Sequence, residues 1–221
     1  MALGNRQVFS RGSKILGRRA PGTLMQGSGF ISRWLHVSIL LIAGFFLIIA
    51  FPFSPGAQKT ALHLDGTPAD PFQEASGKPI VLVFVRADCP VSNRYAPLIQ
   101  RLSSQYEGKA RFWLVYLGKT ALADKIRHHE SDYGYKLPAL RDPQHALVAR
   151  AQVQVTPEVA VFDAKRRLLY HGRIDNLYED FGHARPAATT HELDDAIQAA
   201  LSGKAPPPSA PGVGCYIADT E

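Results

Sequence analysis

Residues 81–97 read VLVFVRADCPVSNRYAP, and this stretch decides the fold. The first five residues are all apolar, which predicts a buried strand. A proline suits the first position of a helix, so Pro90 indicates that Cys89 lies where the strand ends and a helix begins. The N-terminus of a helix carries about half a positive charge and unpaired amides, both of which favour a thiolate over a thiol. The stretch therefore predicts thiol chemistry at Cys89.

Ser92 stands three residues after Cys89, where a Cys-x-x-Cys motif would have its second sulfur. No local disulfide can form from this motif alone. Ser92 can donate a hydrogen bond to a thiolate, and Arg86 or Arg94 can supply positive charge. Asp88 opposes them by placing a like charge beside the sulfur. We therefore expect the pKa of Cys89 to be lowered only modestly.

Residues 34–53, WLHVSILLIAGFFLIIAFPF, contain no charged side chain. About twenty apolar residues are what a helix needs to cross a bilayer core of roughly 30 Å. We predict a single transmembrane helix here. The whole chain of 221 residues then has room for one ordinary domain with a sizeable core beside this helix.

The charge distribution orients this predicted helix. Residues 1–33 hold six Lys or Arg and no acidic residue, whereas residues 54–221 hold nineteen charges of each sign, so the net charge of +6 lies in the arm before the helix. Basic flanks stay in the cytoplasm, which places the rest of the chain across the membrane. A cleaved signal peptide is the alternative, but its basic region would be long and no small-residue cleavage site follows Phe53. A nucleic-acid partner is not expected, because the arm has no interleaved aromatic residues.

The remaining chain divides into a linker (54–60), a folded domain (61–203) and a Pro-rich tail (204–221) that carries Cys215. In the domain we predict a first strand and turn within 61–73, strands at 79–85 and 110–117, helices at 90–106, 122–129 and 145–152, a hairpin of strands 158–163 and 168–173, and a closing helix at 191–201. Alternating strands and helices predict an α/β domain with a central sheet covered on both faces.

Residues 60–205 resemble the redoxin branch of the thioredoxin-like superfamily, which includes membrane-tethered thiol oxidoreductases and peroxiredoxin-type proteins. The landmarks that carry the resemblance are Cys89 after the first core strand, Pro97 eight residues later, Thr156-Pro157 before the hairpin, and the glycine-bearing YHGRID at 170–175. The resemblance implies a thioredoxin-like fold, with a central mixed sheet flanked by helices.

The resemblance also assigns geometry to the two prolines. Pro97 is expected to kink the helix that follows Cys89, since an internal proline removes a hydrogen bond. The Thr156-Pro157 bond is expected to be cis, with the backbone of Thr156 facing Cys89 and offering an edge to an extended peptide or a partner thiol.

The chain departs from the family at two positions. Val83 stands where thioredoxins have a buried aspartate that assists proton transfer, and Arg86 stands where the peroxiredoxin signature has threonine. Neither the thioredoxin mechanism nor the peroxiredoxin mechanism therefore applies completely. The feature that the chain keeps is a single activated thiol.

Cys215 is the second of the two cysteines, 126 residues after Cys89. The Pro-rich run 205–211 before it is extended and semi-rigid. In an oxidising compartment two cysteines favour a disulfide, so one hypothesis is that Cys215 resolves a mixed disulfide or a sulfenic acid on Cys89. The alternatives are a bond to another chain, ligation of a metal-bearing or haem-bearing partner, or a free thiol on a docked tail.

The other polar residues are weaker candidates for a functional role. The histidines lack ligand-like spacing, so no metal site and no cofactor are expected. Trp113 and Tyr116 are expected in the core. A polar loop after the last strand either lines the rim near Cys89 or is plain surface; it contains Asp175, Tyr178, Asp180 and Arg185.

The resemblance thus implies a membrane-anchored thiol oxidoreductase of a bacterial inner membrane, with a cytoplasmic N-terminus and a periplasmic redoxin domain. The charge distribution alone would also suit another compartment. The expected catalytic residues are Cys89, Ser92, Pro157 and Cys215, and the expected partner contacts are Thr156, Arg86 and Pro90. The substrate is a protein disulfide or a peroxide. The alternative is a non-catalytic binding module or an assembly factor for metal or haem proteins.

Overall fold

The computed structural model describes residues 60–118 and 121–218. The predicted basic arm (1–33), the predicted transmembrane helix (34–53) and all but the last residue of the predicted linker lie outside the described residues. Among the residues that are described, no helix combines the length and the apolar character needed to cross a membrane.

Eleven strands are found in these residues. In chain order they are β1 (Ala61–His63), β2 (Pro68–Ala69), β3 (Ile80–Val85), β4 (Arg111–Leu117), β5 (Ala139–Asp142), β6 (Val155–Thr156), β7 (Glu158–Phe162), β8 (Leu168–Gly172), β9 (Tyr178–Asp180), β10 (His183–Ala184) and β11 (Cys215–Tyr216). Seven of them form one sheet in the order β2-β1-β5-β4-β3-β7-β8. Strand β4 is parallel to β3 and β5, whereas the other pairs are antiparallel, so the sheet is mixed.

The helices of the described residues are α1 (Pro71–Glu74), α2 (Pro90–Arg94), α3 (Ala96–Gln105), α4 (Ala123–Asp132), α5 (Ala146–Ala151) and α6 (Glu192–Ser202). Alternate residues of β3 point to opposite faces of the sheet. Val81, Val83 and Val85 pack with residues of α3, α4 and α6. Ile80, Leu82 and Phe84 pack with residues of α1 and α5. Both faces of the sheet are therefore covered, as predicted.

The strong strands, the hairpin and the closing helix are confirmed close to their predicted bounds. The predicted helix 90–106 is divided into α2 and α3 at Tyr95, and Pro97 lies in the first turn of α3. The kink expected from Pro97 is thus present. The small strands β2, β6, β9, β10 and β11 and the short β5 were not predicted. These strands are short, and only their neighbours in space define them.

Candidate functional site

Cys89 lies at the boundary that the sequence predicts, after β3 and directly before Pro90, the first residue of α2. Its side chain is completely buried. The thiol donates a hydrogen bond to the carbonyl oxygen of Thr156 at 3.1 Å. The backbone of Thr156 therefore faces Cys89, as expected.

The Thr156–Pro157 peptide bond is cis, as the resemblance implied. Thr156 belongs to β6, and Pro157 is the buried residue between β6 and β7. Because β7 pairs with β3 along its whole length, the cis-proline loop lies at the same end of the sheet as Cys89.

Cys215 lies against Cys89. Its Sγ is 2.9 Å from the Sγ of Cys89, and both residues are free thiols. Strand β11 pairs antiparallel with β6 and places Cys215 opposite Thr156. The amide of Ile217 donates to the carbonyl oxygen of Gln154 at 2.9 Å, and Ile217 is buried. The tail is therefore docked as a short strand on the cis-proline loop.

Two further contacts hold the tail before it reaches Cys215. The amide of Arg173 donates to the carbonyl oxygen of Ala210 at 2.9 Å. The amide of Gly212 donates to Oε1 of Glu158 at 2.8 Å. The sequence patterns do not single out Glu158, although a carboxylate directly after an expected cis-proline, at the start of a buried strand, is an available signal.

Ser92 is fully buried in the first turn of α2. Among the described residues its hydroxyl oxygen has no hydrogen-bond partner of normal geometry. A buried hydroxyl without a partner is costly, and this one lies one helical turn from Cys89. It is therefore available to donate to a Cys89 thiolate.

The two sulfurs differ in acidity. Burial alone raises the pKa of Cys89, but donors on Cys215 and Ser92 stabilise its thiolate, and the net result is a pKa below the ordinary value of 9.0. Burial raises the pKa of Cys215 to about 11, and its hydrogen bond to Cys89 adds to that effect. Cys89 is therefore the sulfur that ionises first, which suits an attacking nucleophile.

Arg86 and Asp88 form an ion pair at the surface beside the cysteines, with Nη2 and Oδ2 separated by 2.7 Å. The pair leaves the net charge of this loop close to neutral. Arg86 still lowers the pKa of Cys215, whereas Asp88 raises it. Pro90 is exposed next to Cys89. A cavity of about 360 Å³ opens beside this loop, and Arg86 and Ile217 contribute to its wall.

A hydrogen-bond chain that runs from the half-buried Asn93 of α2 into the core supports this helix. Oδ1 of Asn93 accepts a hydrogen bond from Nε2 of His129 at 2.8 Å, and Nδ1 of His129 lies 2.8 Å from the hydroxyl of Tyr116. Asn93 also donates to the carbonyl oxygen of Ala87 at 3.1 Å. His129 is thus a locally bonded histidine, as expected for this set, and Tyr116 is a core residue with a polar end.

The polar loop after the last strand, expected either at the rim near Cys89 or as plain surface, divides into buried and exposed parts. Asp175 is buried and accepts from the hydroxyl of Tyr95 at 2.5 Å. Tyr178 packs against Tyr95, with ring centroids 5.9 Å apart. Asp180 is exposed. Arg185 donates to the carbonyl oxygen of Asn176. These residues hold the loop together rather than approaching Cys89 directly.

In the part of the chain that the structure describes, no group of three acidic, histidine or cysteine residues could hold a metal ion.

Comparisons with known proteins agree with this fold. Residues 77–168 match a family model described as thioredoxin-like. A hypothetical protein from Sinorhizobium meliloti 1021 has 21% identity and a TM-score of 0.59, over 72% of this chain and 88% of that one. An uncharacterized conserved protein from Geobacillus kaustophilus has 20% identity and a TM-score of 0.60, over 72% and 86%.

A third solved structure, of an uncharacterized thioredoxin-like protein from Porphyromonas gingivalis, has 17% identity and a TM-score of 0.50, over 66% of this chain and 90% of that one. No curated protein matches the chain. The described residues therefore have a thioredoxin-like fold, with a central mixed sheet flanked by helices.

Proposed function

We propose that this protein is a thiol–disulfide oxidoreductase in which Cys89 and Cys215 form the redox pair. The observation that carries the proposal is the contact of 2.9 Å between their sulfur atoms. The pairing of β11 with β6 and the anchored tail hold this contact across 126 residues of sequence. Ser92 does not prevent disulfide formation, because the second sulfur comes from the tail.

The reduced protein reacts in two exchange steps. The Cys89 thiolate attacks one sulfur of a partner disulfide, and the other sulfur leaves as a thiolate. Cys215, deprotonated as it attacks, then bonds to the sulfur of Cys89 and releases the second partner thiolate. Two electrons have passed to the partner, which is now a dithiol, and the protein holds a Cys89–Cys215 disulfide. An external dithiol returns the protein to its reduced form, and the reverse sequence oxidises a partner.

The surrounding residues support these steps. The Ser92 hydroxyl is available to stabilise the Cys89 thiolate, and Pro157 shapes the groove in which Thr156 presents its backbone. Arg86 and Pro90 flank the groove at the surface. Cys89 is completely covered when the tail is docked, so a partner reaches it after the tail has opened.

The same burial favours a second candidate, a binding module without turnover. A covered thiol reacts with nothing while the tail stays docked. In that case the cleft would hold a protein, including a metal-bearing or haem-bearing client, and the cysteines would serve as contacts.

The experiment that tests the proposal uses the full-length chain in detergent. The reduced protein is mixed with insulin, a protein disulfide substrate, and with dithiothreitol as the reductant, and the reduction of insulin is followed. The wild type should accelerate the reduction of insulin above the rate with dithiothreitol alone, and Cys89→Ser should abolish this acceleration. In a separate reaction without dithiothreitol, reduced Cys215→Ser should accumulate a mixed disulfide between Cys89 and insulin, which peptide mass mapping identifies.

Two results would count against the proposal. If oxidation by a glutathione buffer leaves both cysteines free, the binding module becomes the better explanation. If hydrogen peroxide converts Cys89 to a sulfenic acid and forms the Cys89–Cys215 disulfide much faster than any disulfide does, the reaction is peroxide reduction. That second result would also favour the assignment to the redoxin branch, for which Cys89, Pro97, Thr156-Pro157 and the YHGRID segment at 170–175 are together the sequence support.

We also propose that residues 34–53 anchor the protein in a bacterial inner membrane, with residues 1–33 in the cytoplasm. The support is the uncharged stretch of twenty residues and the basic arm before it. Protease added to spheroplasts should remove the domain while leaving the arm intact. A domain that is protected until the membrane is lysed would contradict this orientation.

A further inference from the structure

Glu158 is a buried carboxylate that the proposed reaction does not use. It is the first residue of β7, directly after Pro157, and only 5% of its surface is exposed. In the described part of the chain no lysine, arginine or histidine forms an ion pair with it. A buried carboxylate needs hydrogen-bond donors to offset the loss of water.

Its donors come from two separate segments. Oε2 accepts from the amides of Gln154 at 2.7 Å and Val155 at 3.3 Å, in the loop that leads to the cis-proline. Oε1 accepts from the amide of Gly212 at 2.8 Å, in the tail. One carboxylate thus joins the groove to the segment that covers it.

Gly212 lies so close to the side chain of Glu158 that a larger residue would collide with it. A β-carbon added there would lie 2.6 Å from Cγ of Glu158. Cys215 lies three positions after Gly212, a reach of about 10 Å in an extended chain. The Glu158 contact therefore fixes the tail a short distance before its thiol.

We propose that Glu158 is a positioning residue that clamps the tail over the groove and so sets the effective concentration of Cys215 at Cys89. This inference rests on the proposed function, because it concerns the same pair of sulfurs. A tether raises the rate and extent of an internal reaction only when it holds the reacting group near its target. Here the reacting group is the Cys215 thiol and the target is Cys89. Loss of the clamp shifts the balance from the internal disulfide towards mixed disulfides with external thiols.

The test is Glu158→Gln in the full-length chain, with Glu107→Gln as a matched control at an exposed position. Glutamine has the same shape as glutamate, but its NH₂ group cannot accept a hydrogen bond from a backbone amide. Either the loop that leads to the cis-proline or the tail therefore loses its hydrogen-bond acceptor on residue 158. In glutathione buffers, we expect the equilibrium constant for the Cys89–Cys215 disulfide to fall about tenfold in Glu158→Gln, since a charge-assisted hydrogen bond has been lost, and to stay unchanged in Glu107→Gln.

A second measurement tests the docking of the tail without any contribution from the two thiols. In a Cys89→Ser/Cys215→Ser background, hydrogen exchange of the amides of residues 212–217 should become faster with Glu158→Gln, while the amides of β3 keep their protection. Unchanged exchange in the tail would overturn the clamp whatever the cysteines do. Faster exchange with an unchanged disulfide equilibrium constant would overturn its role in positioning Cys215.

The outcomes also separate the clamp from the proposed function. If the tail amides exchange faster but no Cys89–Cys215 disulfide forms even with Glu158 present, the redox proposal fails, and with it the positioning role of Glu158. A third readout is the rate at which Cys89 of Cys215→Ser reacts with a small aromatic disulfide. It should rise with Glu158→Gln because the groove opens, whereas damage to the groove itself would lower it.

Discussion

Gly214 packs against the carbonyl oxygen of Thr156 so closely that a β-carbon at position 214 would overlap this oxygen. The same β-carbon would lie 3.2 Å from Cδ of Pro157. The residue before Cys215 must therefore be glycine for β11 to pair with β6. The contact between the two sulfurs depends on this approach of two backbones.

Gly214→Ala should accordingly release the tail. The atoms it meets are backbone, which cannot turn aside as a flexible side chain would. We expect Cys89 to react with iodoacetamide at least about tenfold faster than in the wild type, because local opening exposes it. The rate is measured by quenched alkylation and peptide mass mapping.

Ser209→Ala is the control for this variant, since Ser209 is an exposed residue of the same tail. It should leave the alkylation rate of Cys89 unchanged. Equal rates for Gly214→Ala and the wild type would mean that the tail is not what covers Cys89.

Replacement of Cys215 should alter the acidity of Cys89. The Cys215 thiol is a donor that lowers the pKa of Cys89. Cys215→Ala removes this donor, so the pKa of Cys89 should rise, whereas Cys215→Ser retains a hydroxyl donor of similar size and should raise it less. The thiolate absorbance in the ultraviolet, followed against pH, gives both values. A lower pKa in the alanine variant than in the serine variant would contradict the assigned hydrogen bond.

The bond from Tyr95 to Asp175 should contribute to stability. Tyr95→Phe leaves a buried carboxylate with the amide of Leu177 as its remaining donor, and a lost partner in a buried site costs about 1–3 kcal/mol. The free energy of unfolding in urea measures this loss. Tyr106→Phe is the comparison, because its hydroxyl also donates at 2.5 Å, to the half-buried Asp194. Water can replace that donor, so the loss there should be smaller. Equal losses would mean that burial of the acceptor does not matter.

His129 should make stability depend on pH. Burial lowers its pKa below the ordinary value of 6.5, so the unfolded chain binds a proton at a higher pH than the folded protein does. Stability should therefore fall as the pH drops from about 6.5 through the lowered pKa. Urea unfolding at about pH 7.5 and about pH 5.5 brackets the start of this change.

His129→Gln should reduce that loss of stability on acidification. His128→Gln should not, because His128 lies on the exposed side of α4. The same pH dependence in all three proteins would assign the effect to groups other than His129. Glu130 is not one of them, because its raised pKa makes stability rise on acidification.

Local sequence patterns were sufficient for the main elements of the fold. The apolar run before Cys89 predicted β3, and Pro97 predicted the division between α2 and α3. Strand β5 was missed because ALRD at 139–142 is short and half polar, and it becomes a strand only through pairing with β4 on one side and β1 on the other. Tertiary pairing overrides weak local preference in such cases.

The sequence by itself determined that a thiol stands at the start of a helix, that its usual local partner is absent, and that the chain holds one other cysteine. These properties depend on neighbours along the chain. Only the tertiary structure decided that Cys215 contacts Cys89, and that Glu158 and Gly214 hold the tail in place. No local rule relates residues 126 positions apart, so their contact arises from the pairing of β11 with β6 and from hydrogen bonds between segments that meet only after folding.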